Sequence, residues 1–209
     1  MPETTEPTIV ALVLAAGSSR RFGSDKRVFD YYGTPLLQRS LSIPIELGLL
    51  TTLVLKSSDE PLVPSLLGNY TGHPLLTIVF AEDALLGMGH SLSAGICSIL
   101  ESPTRIDGTL VFLADMPLLK VKTIEEIIHH FDINKIVVPT KMTADKKLKT
   151  GHPVLFGRYW FKQLQRMTGD NGARELLKKQ SQDIINVTVD DNGIFLDIDQ
   201  PGEVPVTTS

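Results

Sequence analysis

Apolar residues along the chain form short continuous runs, and between these runs they recur at helical spacing. The first run, Ile-Val-Ala-Leu-Val-Leu at 9–14, stops at a glycine-containing loop. A strand buried on both faces of a parallel sheet has this pattern. We therefore predict that residues 9–14 form the first strand, at the centre of a sheet. Further runs predict strands at 52–55, 76–80 and 110–113.

The segments between these runs predict helices near 34–47, 61–67, 91–100 and 121–131. We expect Thr34 to cap the first helix, Pro35 to occupy its first position, and Pro44 to bend it or end its regular part. Alternating strands and helices indicate a parallel sheet with right-handed crossovers. The pattern thus predicts an α/β fold, a Rossmann-like domain with three αβα layers and a mostly parallel sheet.

The remainder of the chain continues this pattern with one polar interruption. A strand is predicted at 135–138, and the lysine-rich stretch 140–150 is expected to be an exposed loop or hairpin arm. A short apolar run at 153–156, helices near 159–166 and 173–179 and a β-rich end at 184–198 complete the prediction. Because no repeat or linker divides the chain, we expect a flexible leader at 1–8 and a single domain at 9–209.

Composition and charge restrict the function. A chain of 209 residues with 42% hydrophobic content is long enough for one substantial core. A net charge of −4 disfavours binding to nucleic acid, which usually needs clustered excess lysine and arginine. The single cysteine, Cys97, excludes an internal disulfide framework and a cysteine-based zinc site. With no apolar run near the roughly 18 residues that span a bilayer, we expect a cytoplasmic protein without membrane contact.

The loop at 14–26, which follows the first predicted strand, is the main candidate for ligand binding. In open parallel sheets, ligands bind beyond the carboxyl ends of the strands. The small residues at 15–19 would let backbone N–H groups approach a nucleotide, and Arg21 and Lys26 would neutralise a triphosphate. The residues match neither a Walker loop nor a dinucleotide fingerprint. An ordinary exposed loop with stray basic residues is the alternative on composition alone.

A second candidate group is acidic. Asp115 follows the predicted strand at 110–113 and precedes Pro117, so its carboxylate should project toward the same edge of the sheet as the first loop. Mg²⁺ is typically bound by one or two carboxylates together with substrate phosphates and water. Asp115 and Asp199 would supply those carboxylates. The alternative for Asp115 is a turn residue that accepts backbone hydrogen bonds.

The pattern Leu-Ala-Ala-Gly-x-Ser-x-Arg-x-Gly-x-x-Lys at 14–26 resembles the signature loop of nucleotidyltransferases related to the molybdenum cofactor cytidylyltransferases and guanylyltransferases. The resemblance continues, in the family's order, through the blocks at 87–92, 114–117, 151–156, 169–174 and 197–201. It covers nearly the whole chain. It implies a fold of the nucleotide-diphospho-sugar transferase type and Mg²⁺ as the cofactor.

The resemblance also implies roles for individual residues. Arg21, Lys26 and Asp115 would be catalytic, and Asp115 and Asp199 would bind the metal, with Asp197 as the alternative to Asp199. Ser91 would contact the nucleotide, although a helix cap that touches no ligand is the alternative. The complete expected nucleotide-binding set is Leu14, Ala15, Ala16, Gly17, Ser18, Ser19, Arg21, Lys26, Gly89 and Ser91.

Three residues after position 150 are expected to face the second substrate. His152, in the block Gly-His-Pro-Val, would hydrogen-bond the acceptor, and a role in proton transfer is the more specific alternative. Asp170 would begin a helix with Arg174 one turn in, an arrangement that suits an anionic acceptor. The alternative for these two residues is a capped helix with a solvated arginine.

The cytidylyl branch is favoured because the guanylyl branch usually carries Leu-Ala-Gly-Gly, whereas this chain has alanine at position 16. The resemblance therefore implies transfer of CMP from CTP to a molybdopterin-type acceptor, with a molybdoenzyme or its chaperone as a protein partner. GTP or another nucleoside triphosphate is the alternative donor. A sugar phosphate or methylerythritol phosphate is the alternative acceptor. A non-catalytic protein that delivers the cofactor is the alternative from a different class.

Overall fold

The computed structural model describes residues 6–17, 22–143 and 145–198. Ser18, Ser19, Arg21 and Asp199, together with most of the expected leader, lie outside the described residues. The strands are β1 (Ile9–Leu14), β2 (Asp30–Tyr31), β3 (Thr34–Pro35), β4 (Thr51–Lys56), β5 (Leu76–Ala81), β6 (Gly108–Leu113), β7 (Ile136–Met142), β8 (Leu148–Thr150), β9 (Val154–Gly157) and β10 (Ile184–Thr188). The α-helices are α1 (Leu36–Glu46), α2 (Val63–Leu67), α3 (Met88–Leu100), α4 (Val121–His129), α5 (Phe161–Leu164) and α6 (Arg174–Lys179).

Within these ranges, eight strands form the main sheet. Seven of them follow the order β10-β7-β9-β6-β1-β4-β5, and the eighth, β8, pairs with the C-terminal half of β7. The pairs of β1 with β4 and β6, of β4 with β5 and of β7 with β10 are parallel. Strand β9 runs antiparallel between β6 and β7. The predicted mostly parallel sheet and the inner position of β1 are therefore confirmed.

The two faces of β1 contribute to two separate cores. Ala11 and Val13 pack in the core that contains the apolar faces of α1, α2 and α4. Val10 and Leu12 point the other way, into the core that contains those of α3, α5 and α6. Because successive side chains of a strand point to opposite faces, a strand buried on both sides must be apolar at every position. This explains the unbroken apolar run and confirms the three-layer αβα architecture.

Helix α1 begins later than predicted. Thr34 and Pro35 pair with Asp30 and Tyr31 in a small antiparallel ribbon, so Pro35 is the N-cap residue and Thr34 does not cap the helix. The backbone of Thr34 is extended because it pairs with Tyr31. Helix α1 continues through Pro44 to Glu46, and Pro44 does not end it.

Other boundaries also differ from the prediction. Helix α3 begins at Met88, three residues earlier than predicted, and α6 begins at Arg174, so Arg174 is not one turn in. The β-rich end contains only β10. A 3₁₀ turn, Asn192–Phe195, follows because the Asp191 side chain accepts hydrogen bonds from the Gly193 and Lys120 amides.

The lysine-rich stretch is a hairpin arm, as predicted, in which Met142 pairs with Leu148. At the start of the described chain, the Thr8 amide donates to the Asp107 carboxylate at 3.1 Å. The last residue of the expected leader is thus fixed to the body of the domain. Among the described helices, none combines the length and the apolar character needed to cross a bilayer.

Candidate active site at the carboxyl edge of the sheet

A cavity of about 530 Å³ opens beyond the carboxyl ends of β1 and β6. Backbone bonds join the neighbouring strand ends: the Ala114 amide donates to the Leu14 carbonyl at 3.1 Å, and the Ala15 amide donates to the Val54 carbonyl at 2.9 Å. The described residues that line the cavity are Leu14, Ala15, Ala16, Gly17, Phe22, Lys26, Arg27, Ala84, Leu85, Gly87, Met88, Ser91, Leu113, Ala114, Asp115, Asp170 and Asp197.

Lys26 and Asp115 form an ion pair in this cavity, with 2.5 Å between Nζ and Oδ2. Lys26 begins a 3₁₀ turn that Asp25 caps, and Asp115 lies two residues beyond β6. Both side chains are less than one-fifth exposed. The predicted convergence of the first loop and the end of β6 is therefore observed.

The other carboxylate oxygen of Asp115, Oδ1, is buried and accepts no hydrogen bond from any described residue. A buried acceptor of this kind is costly unless a ligand or ion satisfies it. Asp197 lines the same cavity, and the amide of Ile198 donates to the Asp115 carbonyl at 3.0 Å. The described chain contains no cluster of three or more potential metal-binding side chains. A Mg²⁺ ion bound by one or two carboxylates and by substrate oxygens needs no such cluster, so these residues fit it.

The opposite wall consists of the first turn of α3 and the loop that precedes α6. The Gly89 amide donates to the Gly169 carbonyl at 2.8 Å, and a Cβ added at Gly89 would lie 2.6 Å from the Thr168 backbone. Gly89 therefore contacts this loop and is not among the described residues that line the cavity. Ser91, two residues further on, is buried and does line it, as does the exposed Asp170.

His152 lies behind the acidic side of the cavity, next to Pro153 in a cis peptide bond. Its Nδ1 atom is buried and has no hydrogen-bond partner among the described residues. Burial lowers the pKa of His152, while the nearby charges of Asp115 and Asp197 partly oppose this effect and Arg174 adds to it. Neither His152 nor the exposed Arg174 is among the described residues that line the cavity, so the expected acceptor residues are only partly brought together.

Sequence reasoning missed Arg27 and Leu85, which line the cavity together with Met88 of the block at 87–92. Leu85 and Met88 are large apolar side chains that remain 67% and 45% exposed, and they form an apolar rim of the cavity. Arg27 directly follows Lys26 in a run of three consecutive charged residues, Asp-Lys-Arg, which was the available signal. Its partner Asp59 lies on the turn after β4, and only the folded chain brings the two together.

The cavity lies at the carboxyl edge of a parallel sheet, and it combines the small residues of the loop after β1 with a lysine–carboxylate pair. These features define a nucleotide-binding α/β protein. The sequence model of the MobA-like NTP transferase domain matches residues 11–184, and the chain belongs to this family. The protein is therefore a nucleotidyltransferase of the MobA-like type.

Two individual relatives are similar to the chain in sequence. The chain is 28% identical over 202 residues to the purine catabolism protein PucB of Bacillus subtilis, covering 94% of each protein. It is 28% identical over 124 residues to a probable molybdenum cofactor guanylyltransferase of Pyrococcus horikoshii, covering 59% of this chain and 57% of that protein.

The fold is similar to that of Rv0371c from Mycobacterium tuberculosis H37Rv, with a TM-score of 0.77 and 26% identity over 95% of this chain and 96% of that one. A second structure of Rv0371c is a complex with manganese. It matches with a TM-score of 0.67 and 24% identity, covering 87% of this chain and 88% of that one.

Proposed function

We propose that the protein transfers a nucleoside monophosphate to the phosphate of a molybdopterin-type acceptor and releases pyrophosphate. The first candidate for the donor is CTP, from which CMP would be transferred. The ion pair between Lys26 and Asp115 carries this proposal, because it places a cation and a partly unsatisfied carboxylate in one cavity beside the small-residue loop. Nucleotidyl transfer requires charge neutralisation and a metal-binding carboxylate at the same point.

In this reaction, a phosphate oxygen of the acceptor attacks the α-phosphorus of the nucleoside triphosphate. A new phosphorus–oxygen bond forms, and the bond between the α-phosphorus and the oxygen that bridges to the β-phosphorus breaks. Pyrophosphate leaves with that electron pair, so no protein nucleophile takes part. Lys26 would hold the β- and γ-phosphates and neutralise the charge that develops as pyrophosphate departs, and the resemblance gives Arg21 the same role.

Asp115 would be the principal ligand of Mg²⁺, because its buried Oδ1 atom is otherwise unsatisfied. The second carboxylate would come from Asp199 or from Asp197, of which Asp197 lines the cavity. When bound, the metal would withdraw electron density from the α-phosphate and align it with the attacking oxygen. The manganese complex of Rv0371c concerns that relative, and it supports a divalent cation in this protein as well.

The nucleotide would lie between the first loop and the apolar rim. Leu14, Ala15, Ala16, Gly17 and Ser91 would contact it, and the resemblance adds Ser18 and Ser19. Gly89, which the resemblance also implies, packs instead against the loop at Thr168. CTP is the preferred donor because Ala16, which is buried against the cavity, occupies the place of a glycine in the guanylyl branch. The name of the Pyrococcus relative favours GTP, and GTP is therefore the second candidate donor.

The acceptor would approach from the side of Asp170, with Arg174 attracting its phosphate. His152 would donate or accept a hydrogen bond from behind the acidic pair. A neutral imidazole is suited to this place because its lowered pKa keeps it uncharged near Asp115. A molybdoenzyme or its chaperone would receive the product.

A pyrophosphate-release assay tests the proposal. The purified protein, Mg²⁺ and molybdopterin-type cofactor are incubated with CTP, GTP, ATP or UTP in turn, and the nucleotide product is identified by mass spectrometry. We expect turnover with CTP to exceed turnover with the other triphosphates. Preference for GTP would replace the proposed donor. Turnover with methylerythritol phosphate or a sugar phosphate, and none with molybdopterin, would replace the proposed acceptor. Tight binding without turnover would indicate a delivery protein.

A further inference from the structure

A buried arginine lies directly beside the lysine of the site. Arg27 forms part of the cavity wall, yet only 4% of its surface is exposed. On one side, its Nε and Nη2 atoms donate to the two carboxylate oxygens of Asp25 at 2.9 and 2.7 Å. On the other side, Nη2 donates to Asp59 at 2.9 Å and Nη1 donates to the second oxygen of Asp59. Nη1 also donates to the Ala15 carbonyl at 3.2 Å.

These contacts use the whole hydrogen-bonding capacity of the side chain. A guanidinium has five N–H donors, and described residues accept from Arg27 in five hydrogen bonds. An arginine in a phosphate-binding cavity would ordinarily be assigned to the substrate. Here every donor is directed into the protein, so Arg27 has none left to offer a phosphate without breaking one of these bonds.

The contacts connect both ends of the first loop to the neighbouring strand. Ala15 is the first residue after β1, and Asp25 caps the 3₁₀ turn that begins at Lys26 by accepting from the Arg27 amide at 3.1 Å. Asp59 is completely buried on the turn after β4, where the Lys56 amide also donates to it at 3.3 Å. Lys26 therefore lies between two residues whose positions are fixed by the same set of bonds.

We propose that Asp25, Arg27 and Asp59 form a positioning network that holds Lys26 opposite Asp115, and that its contribution to catalysis rests on the function proposed above. Arg27 is thus a positioning residue that does not touch the substrate.

Charge and burial favour this role over simple stabilisation. Replacing a buried ion pair by apolar residues of similar volume is often neutral or stabilising, because both charges must be desolvated. However, each of the two carboxylates binds the planar guanidinium through both of its oxygens, which fixes the orientation of the three side chains. Apolar packing does not fix orientation in this way. Hydrogen bonds from the Arg27 side chain, together with its charge, also lower the pKa of Asp25, so the carboxylate that caps the Lys26 turn stays ionised.

The test measures the position of Lys26 without any substrate. Wild-type protein and the variants Arg27→Lys, Asp59→Asn and Asp25→Asn are treated with limiting acetylating reagent, and the rate at each lysine is read by mass spectrometry. Lys135, which pairs with Asp183 at 2.8 Å where the chain enters β7 and β10, is the internal reference. We expect acetylation of Lys26 to accelerate relative to Lys135 in all three variants, because loss of the network releases Lys26 from Asp115.

Asp183→Asn is the matched control, since it removes a carboxylate from a lysine pair outside the site. It should accelerate acetylation of Lys135 and leave Lys26 unchanged. Asp25→Asn is included because Asp25 is 34% exposed, so this variant should fold even where a change at buried Asp59 prevents folding. Unchanged acetylation of Lys26 in folded Arg27→Lys or Asp25→Asn protein would overturn the proposal. Equal acceleration at Lys26 and Lys135 would also overturn it, because it would indicate general loosening.

Nucleotide binding provides a second readout. If the wild-type protein binds CTP with Mg²⁺ by calorimetry, the three variants should bind it about 10-fold or more weakly, and Asp183→Asn should bind it normally. Failure of the wild-type protein to bind any of the four triphosphates would contradict the proposed function, while the acetylation result would still decide whether the network holds Lys26. Normal CTP binding in folded Arg27→Lys protein would overturn the proposal.

Discussion

The Lys26 ammonium lies 2.5 Å from the Asp115 carboxylate, although 89 positions separate the two residues in the chain. The contact exists because β1 and β6 are parallel neighbours, so the segments that follow them emerge at the same edge of the sheet. It joins the signature loop of the family to the expected metal ligand.

Loss of either member of the pair should abolish most of the activity. We expect Lys26→Ala and Asp115→Asn each to reduce kcat/KM for nucleotidyl transfer roughly 100-fold or more, because each removes an electrostatic contact to the reacting phosphates or metal. Steady-state pyrophosphate release measures this. Lys135→Ala and Asp183→Asn, which disrupt a pair of similar geometry outside the cavity, should retain wild-type kcat/KM. Comparable losses in these controls would contradict a catalytic role.

Metal dependence should identify the second carboxylate. We expect EDTA to stop the reaction and Mg²⁺ to restore it, with Asp115→Asn needing the highest Mg²⁺ concentration. Titration of activity with Mg²⁺ in Asp197→Asn and Asp199→Asn then distinguishes the two candidates, and the true ligand is the one whose replacement shifts the titration. Full activity of wild-type protein in excess EDTA would exclude the proposed cofactor.

Gly87 should tolerate no side chain. Its backbone has φ of +125°, and a Cβ there would lie 2.3 Å from the Gly169 carbonyl carbon. Gly87→Ala should therefore cost roughly 3 kcal/mol or more in the free energy of unfolding, from backbone strain and overlap together. Chemical denaturation measures this cost. Gly33→Ala is the control, with φ of +84° but no atom within 4 Å of the added Cβ, and should cost only about 1 to 2 kcal/mol. Equal losses would mean that contact with Gly169 is unimportant.

Ala16 should influence the choice of base. We expect Ala16→Gly to raise kcat/KM for GTP relative to CTP, because removing a methyl group enlarges the cavity where the guanylyl branch has glycine. The ratio of the two kcat/KM values, measured in competition, gives the result. Ala84→Gly removes a methyl group from another residue that lines the cavity and serves as the matched control. An unchanged ratio in Ala16→Gly would exclude this position as the determinant.

The stability of the protein should fall as the pH is lowered below 6.5, the ordinary pKa of histidine, partly because of His152. Burial lowers the pKa of His152 in the folded state, so the unfolded chain binds the proton first. The stabilisation is therefore complete above pH 6.5 and is lost as the pH falls toward the lower pKa of the folded state. Urea denaturation between pH 5 and 8 should show a smaller decline in His152→Gln than in wild-type protein. An equal decline in His152→Gln and wild-type protein would contradict this contribution of His152.

Much of the site was predictable from sequence because its parts lie at strand ends. Leu14 ends the first apolar run, Lys26 lies in the loop that follows it, and Asp115 lies two residues beyond the strand β6. A parallel sheet brings such positions to one edge. The roles of Gly89 and Arg174 were harder to predict. Gly89 contacts Thr168, and Arg174 begins α6, because the loop at 168–173 folds against α3. Sequence spacing contains no information about that contact.

The sequence by itself determined the buried strands, the three-layer architecture and the edge at which the first loop meets Asp115, since side-chain periodicity and parallel pairing follow from local chemistry. Only the tertiary structure decided what each charged residue does. Arg27 is adjacent to Lys26 in sequence, yet it donates every N–H to Asp25, Asp59 and the Ala15 carbonyl, whereas Lys26 faces Asp115 in the cavity. The physical reason is that a charge takes its role from the partners that folding places around it, and Asp59 reaches Arg27 only because β4 lies beside β1.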